Sequence, residues 1–128
     1  MTDGISSRNR CSLVLVVDDD AGIGRLITLA LSYAGIRAVS ATDCETALAM
    51  ARLEEPDLVI LDLHIPVMDG RSLYRAFRNE GMGAPVVILS AEGARAAQQE
   101  LGAEEYMDKP FNLADLQERV DKLLATRG

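Results

Sequence analysis

Two rhythms alternate along the chain. Three short stretches, "LVLVV" (13–17), "DLVILDL" (57–63) and "PVVILS" (85–90), are apolar almost throughout. Between them apolar residues recur at helical spacing, as in Ile23, Ile27, Ala30, Leu31 and Ala34, with Gly35 where a C′ glycine belongs. "RAVSA" (37–41) and "EYMD" (105–108) are shorter strand candidates. Thr42 and Glu45 form a T-x-x-E capping box that predicts a helix through Leu48 and Ala51, ended by Pro56. A third helix carries Leu73, Ala76 and Phe77 and closes at Gly81 and Gly83. An alanine-rich fourth helix covers roughly 94–101, and Asn112 caps a fifth with Leu113, Leu116, Val120, Leu123 and Leu124 on one face.

The pattern predicts five strand–helix pairs, an α/β chain of (βα)₅ type. Strands that are apolar throughout are buried on both faces, which is the signature of a parallel sheet between helical layers. Right-handed crossovers make it a doubly wound three-layer sandwich. Repeats, low-complexity segments and a linker to a second domain are missing from the pattern. The expected organisation is a flexible N-terminal tail over 1–12 and one domain over 13–126.

Composition narrows the function. Aromatic residues make up 4% against 48% apolar residues, so the core must be aliphatic. The formal net charge of −7 argues against a nucleic-acid surface and suits a cation site. Cys11 and Cys44 form no metal-type cluster and read as ordinary thiols of a reducing compartment. With no signal peptide and no membrane-length apolar run, the expectation is a soluble cytoplasmic protein.

Open parallel sheets build their sites at the carboxyl ends of the strands. Those ends carry Asp18, Asp19 and Asp20 after the first strand, Asp62 and His64 after the third, Ser90 after the fourth, and Lys109 before Pro110 after the fifth. Carboxylates suit a hard cation such as Mg²⁺, at about 2.0–2.1 Å. Lysine and serine suit a phosphate, and a carboxylate can act as nucleophile toward phosphorus. Asp20 sits where the N-cap of the first helix belongs, and Ser90 is also a candidate cap for the fourth.

Taken in order, "VLVVDDD", "PDLVILDLHIPVMDG", "VVILSA" and "GAEEYMDKPF" resemble the receiver domain of two-component response regulators over about residues 12–126. The resemblance implies a five-stranded flavodoxin-like sheet of order 2-1-3-4-5. It implies that Asp62 is the phosphoacceptor and that Asp18, Asp19, Asp62 and the backbone carbonyl of His64 hold Mg²⁺. It implies that Lys109 pairs with the phosphoryl group, before a cis bond to Pro110. Ser90 and Tyr106 match the switch positions, although Tyr106 also reads as a half-buried strand residue. The implied reaction is phosphoryl transfer from a phosphohistidine of a sensor histidine kinase or histidine phosphotransfer protein. It is regulatory phosphoacceptance followed by slow hydrolysis, in a monomer or weak phosphorylation-dependent dimer.

The implied output is an unknown protein effector docking on the face of helix 4, strand 5 and helix 5, with no nucleic acid or membrane bound by this domain. The segment from Ser90 to Lys109 is about one helical turn shorter than is usual in that family. Its fourth helix, with Leu101 as the one large apolar residue, is expected to pack lightly. Two readings of the chain stay open, a stand-alone regulator and a receiver cut from a longer regulator or hybrid kinase. A degenerate receiver used only for binding predicts loss of the acceptor, the acidic pair or the lysine, and none is lost. A haloacid-dehalogenase-type phosphatase wants D-x-D-x-[TS] where this chain has "DDDAG". A flavodoxin-type carrier wants a Ser/Thr-rich phosphate loop in the same place.

Overall fold

The computed structural model describes residues 12–64 and 70–127. Five strands, β1 (Leu13–Val17), β2 (Arg37–Ala41), β3 (Leu58–Asp62), β4 (Val86–Ser90) and β5 (Glu105–Asp108), alternate with five helices. The helices are α1 (Ala21–Tyr33), α2 (Cys44–Glu54), α3 (Gly70–Asn79), α4 (Ala94–Leu101) and α5 (Leu113–Arg127). The strands are all parallel and lie in the order β2-β1-β3-β4-β5, the doubly wound arrangement expected. The tail expected over 1–12 lies outside the described residues apart from Ser12, as do Cys11 and, in the stretch HIPVMDG that the sequence predicts to be a loop, the expected turn residues Pro66 and Asp69.

The unbroken apolar runs are explained by two cores, one on each face of the sheet. Leu15, Val17, Val59, Leu61, Val86 and Ile88 point to one side, against Ala47 and Ala51 of α2, Leu73 and Phe77 of α3, and Ala94 and Ala97 of α4. Val14, Val16, Leu58, Ile60, Val87 and Leu89 point to the other, against Ile27 and Leu31 of α1 and Leu116 and Val120 of α5. Successive strand residues alternate between faces, so a strand covered on both sides has no place for a polar residue. α4 docks on the sheet through the small buried Ala94 and Ala97, with Leu101 half-buried.

The helix ends carry most of the sequence signals. Asp20 caps α1 by accepting from the N–H groups of Gly22 and Ile23. At the other end Gly35 takes φ +84°, while its N–H reaches the Ser32 carbonyl and that of Ile36 reaches Leu31. That paired closure needs a left-handed residue, which glycine supplies without strain. Asn112 caps α5 through Ala114 and Asp115, as expected.

Two expected caps are corrected. The α2 cap is Asp43, not Thr42: its carboxylate accepts from the Thr46 N–H at 2.8 Å and the Thr46 hydroxyl at 3.1 Å. The helix starts one residue later than the capping box predicts, with the Thr46 N–H held by Asp43, and Cys44, Ala47 and Ala51 form its buried stripe. Ser90 does not cap α4 either. That helix begins after Gly93, whose φ of +73° brings no side-chain cap. Among the described residues, no helix is long and apolar enough to cross a membrane.

Candidate functional site

The parallel sheet delivers its chemistry to one edge. Three backbone hydrogen bonds continue the ladder one residue past the strands and fix the carriers. The Asp18 N–H donates to the Ala41 carbonyl (3.1 Å), that of Leu63 to Leu89 (3.1 Å), and that of Lys109 to Ser90 (2.8 Å). Asp62 is the last residue of β3 and Ser90 the last of β4. The Lys109–Pro110 bond that follows β5 is cis, as the resemblance implied.

Asp18, Asp62 and Lys109 meet directly. The Lys109 ammonium lies 2.9 Å from Asp18 Oδ2 and 3.3 Å from Asp62 Oδ2. The second oxygen of each carboxylate is held by backbone: Asp18 Oδ1 accepts from the Asp20 N–H (2.9 Å) and Asp62 Oδ1 from the His64 N–H (3.1 Å). Both carboxylates are buried, whereas Asp19 is exposed. Carboxylate oxygens of Asp18, Asp19 and Asp62 nevertheless lie within 4.8 Å of one another.

The electrostatics are those of an under-compensated acid cluster. Burial first, and then the Asp18 charge, push the Asp62 carboxyl above its ordinary range against the pull of the His64 N–H and of Lys109. Burial opposes the Lys109 charge, but the hydrogen bond to Asp18 and the charges of Asp62 and Asp18 outweigh it and hold the ammonium above its usual range. When ionised, three carboxylates against one ammonium leave two negative charges. An all-oxygen donor set with that excess fits a hard divalent cation.

Ser90 completes the rim, and Tyr106 lies below it. The Ser90 hydroxyl is fully buried; it donates to the Glu92 carbonyl (2.6 Å), accepts from the Glu92 N–H (3.2 Å), and lies 3.3 Å from Nε2 of His64. Tyr106 pairs in register with Ile88, two residues before Ser90, and is half-buried against the core shared by α2, α3 and α4. The sequence reading missed two features here. One is the Glu92 turn, which uses only that residue's backbone. The other is Gly70, whose Cα packs so closely on β3 that a Cβ would come within 2.6 Å of Leu63 Cα and 2.9 Å of the Asp62 carbonyl oxygen.

Comparison with known proteins bears directly on this arrangement. The family model of the response regulator receiver domain matches residues 14–121. The chain belongs to that family. The receiver is 41% identical over 118 residues to the transcriptional regulatory protein PrrA of Mycobacterium tuberculosis, covering 90% of this chain and 51% of that protein. It is 36% identical to the alkaline phosphatase synthesis transcriptional regulatory protein PhoP of Bacillus subtilis, over 87% of this chain and 48% of that one. The receiver therefore spans about half the length of the curated relatives it matches. Among solved structures, the receiver domain of the Francisella response regulator 1452 superposes with a TM-score of 0.84 at 31% identity, covering 91% of this chain and 99% of that one. The chemotaxis protein CheY4 of Vibrio cholerae does so with a TM-score of 0.81 at 29% identity, over 88% and 98%.

Proposed function

We propose that this receiver takes a phosphoryl group onto Asp62 from a phosphohistidine of a sensor histidine kinase or histidine phosphotransfer protein. A carboxylate oxygen of Asp62 attacks phosphorus, and the electron pair of the P–N bond goes to the histidine nitrogen, so the donor leaves as a neutral imidazole with its proton on the other ring nitrogen. Lys109, already within hydrogen-bond reach of Asp62, neutralises charge on the transferred group. Asp18, Asp19, Asp62 and the His64 backbone carbonyl would hold Mg²⁺, which supplies charge compensation at the phosphoryl oxygens. Ser90 then hydrogen-bonds a phosphoryl oxygen and Tyr106 follows it inward, changing the face formed by α4, β5 and α5. Slow hydrolysis of the acyl phosphate resets the domain. The naming of its relatives as transcriptional regulators supports an output that reaches transcription through a protein effector, with the domain itself a monomer or weak phosphorylation-dependent dimer.

The observation that carries this reading is the buried pair Asp18–Asp62, bridged by one lysine and left with two excess negative charges once Asp19 is counted. A degenerate receiver would have lost part of that set. The test is intact mass after incubation with Mg²⁺ and a small phosphodonor. One phosphoryl group is expected on the wild type, none on Asp62→Asn, and none on the wild type in EDTA. Label that persists in Asp62→Asn removes the assignment.

A further inference from the structure

The Ser90 hydroxyl is fully committed in this structure. Its contact to the Glu92 carbonyl, at 2.6 Å, is the shortest of the three and takes the single hydroxyl proton. One lone pair accepts the Glu92 N–H, and the other faces Nε2 of His64 at 3.3 Å. Because the hydroxyl has no second proton, Nε2 must carry the hydrogen of that third contact. His64 is thus the donor at this contact, through an Nε2–H. The same residue holds Asp62 through its backbone N–H, at 3.1 Å. His64 touches the end of β3 with its main chain and the end of β4 with its ring.

We propose that His64 is a positioning residue: its imidazole latches the Ser90 hydroxyl in the resting turn and sets how readily that hydroxyl swings to a phosphoryl group on Asp62. The inference rests on the reading of Asp62 as phosphoacceptor. To donate to a phosphoryl oxygen, Ser90 must withdraw its proton from the Glu92 carbonyl, since one proton cannot serve both. The rotation also takes away the lone-pair direction that faces His64. The His64 bond is therefore made in the resting arrangement alone. An interaction present in one of two states shifts their equilibrium by its full net worth. For one hydrogen bond that is a factor of about 2–10. The exposed position of the ring makes it removable without loss of core packing.

The test is calorimetric titration with trifluoroberyllate, a phosphoryl mimic, in Mg²⁺. His64→Ala is expected to bind about 2–10-fold more tightly than the wild type. His64→Gln, whose side-chain amide can donate over a similar reach, is expected to return close to wild-type affinity. In a Ser90→Ala background, His64→Ala is expected to change nothing. Unchanged or weaker binding by His64→Ala, or the same gain without the Ser90 hydroxyl, overturns the latch. A second measurement needs no phosphoryl group. Nitrogen-15 correlation spectra of the ligand-free chain, with the ring neutral, should show His64 protonated at Nε2 and that resonance moving in Ser90→Ala. A dominant Nδ1–H tautomer overturns the latch. A wild type that binds no trifluoroberyllate overturns the phosphoacceptor reading and the latch together, whereas binding with the wrong variant pattern overturns the latch alone.

Discussion

The Lys109 ammonium sits closer to Asp18, at 2.9 Å, than to Asp62, at 3.3 Å. The lysine is thus anchored to the first strand and leans on the third, ready to turn toward charge that arrives on Asp62. Without it, two buried carboxylates would face each other unpaired. Breaking a fully buried pair costs about 3–5 kcal/mol. Lys109 is one-fifth exposed, so water can replace part of its contribution. Lys109→Ala is expected to lower stability by about 2–3 kcal/mol in urea titration without metal. It is also expected to accept phosphate poorly and to transmit none to the α4–β5–α5 face. Full stability in Lys109→Ala would mean that the carboxylates do not share charge as their geometry implies.

Asp62 should behave oppositely, because its carboxyl is pushed up by burial and by Asp18. A carboxyl whose folded value is raised stabilises the fold below the unfolded value, and that contribution is lost as pH rises through the folded value. At neutral pH the group is therefore a net cost. Asp62→Asn removes that cost and is expected to raise the melting temperature in EDTA by about 2–5 °C. It should also flatten the fall in stability as pH rises above the carboxylate range. Mg²⁺ should raise the melting temperature of the wild type by mass action and that of Asp62→Asn much less. Scanning calorimetry at fixed protein concentration measures both effects. Equal Mg²⁺ responses in the two proteins would place the cation elsewhere.

What was legible in the sequence follows from where single residues carry the signal. β1, β2 and β5 fall where the sequence places them, and β3 and β4 each lose only flanking residues. A strand covered on both faces writes its burial into every position, as 13–17 does. Asp18, Asp62 and Ser90 were readable because each directly ends or follows such a run, and Lys109 because it stands before Pro110 at the end of the weaker strand candidate 105–108. Asp43 was not, because Thr42 beside it is an equally good cap by type, and residue type alone does not say which of the two reaches the Thr46 N–H. The His64–Ser90–Glu92 cluster was not legible either. Two of its contacts use the Glu92 backbone and the third depends on how two separate loops meet.

Gly70 and Gly35 separate site geometry from backbone freedom. At Gly70 an added Cβ meets the backbone of Asp62 and Leu63, which cannot yield without moving the acceptor's own strand end. Gly70→Ala is expected to cost about 1–3 kcal/mol, as overpacking does, and to slow labelling of Asp62 by a small phosphodonor. At Gly35 a Cβ would have open space, and the cost comes only from φ +84°. Gly35→Ala is expected to cost about 1 kcal/mol and to leave labelling unchanged. Labelling rate and urea midpoint, measured on both variants, distinguish the two effects. Equal labelling rates would show that the α3 start does not govern the site.

The start of α2 offers a test with a defined pH direction. The Thr46 N–H, and after it the Thr46 hydroxyl, hold the Asp43 carboxyl below its ordinary value. A carboxyl lowered by folding contributes stability that is present above its unfolded value and is lost as pH falls through the folded one. Asp43→Ala should therefore destabilise at neutral pH and converge on the wild type in acid. Asp43→Asn keeps an oxygen that can accept from Thr46 without a titrating charge. It should retain most of the neutral-pH stability and lose the acid-dependent part. Thr42→Ala should follow the wild type at every pH, since the Thr46 N–H is already held by Asp43. Urea midpoints of the four proteins across the carboxylate range decide the matter. A loss in Thr42→Ala equal to that in Asp43→Ala would restore the capping box that the structure displaces.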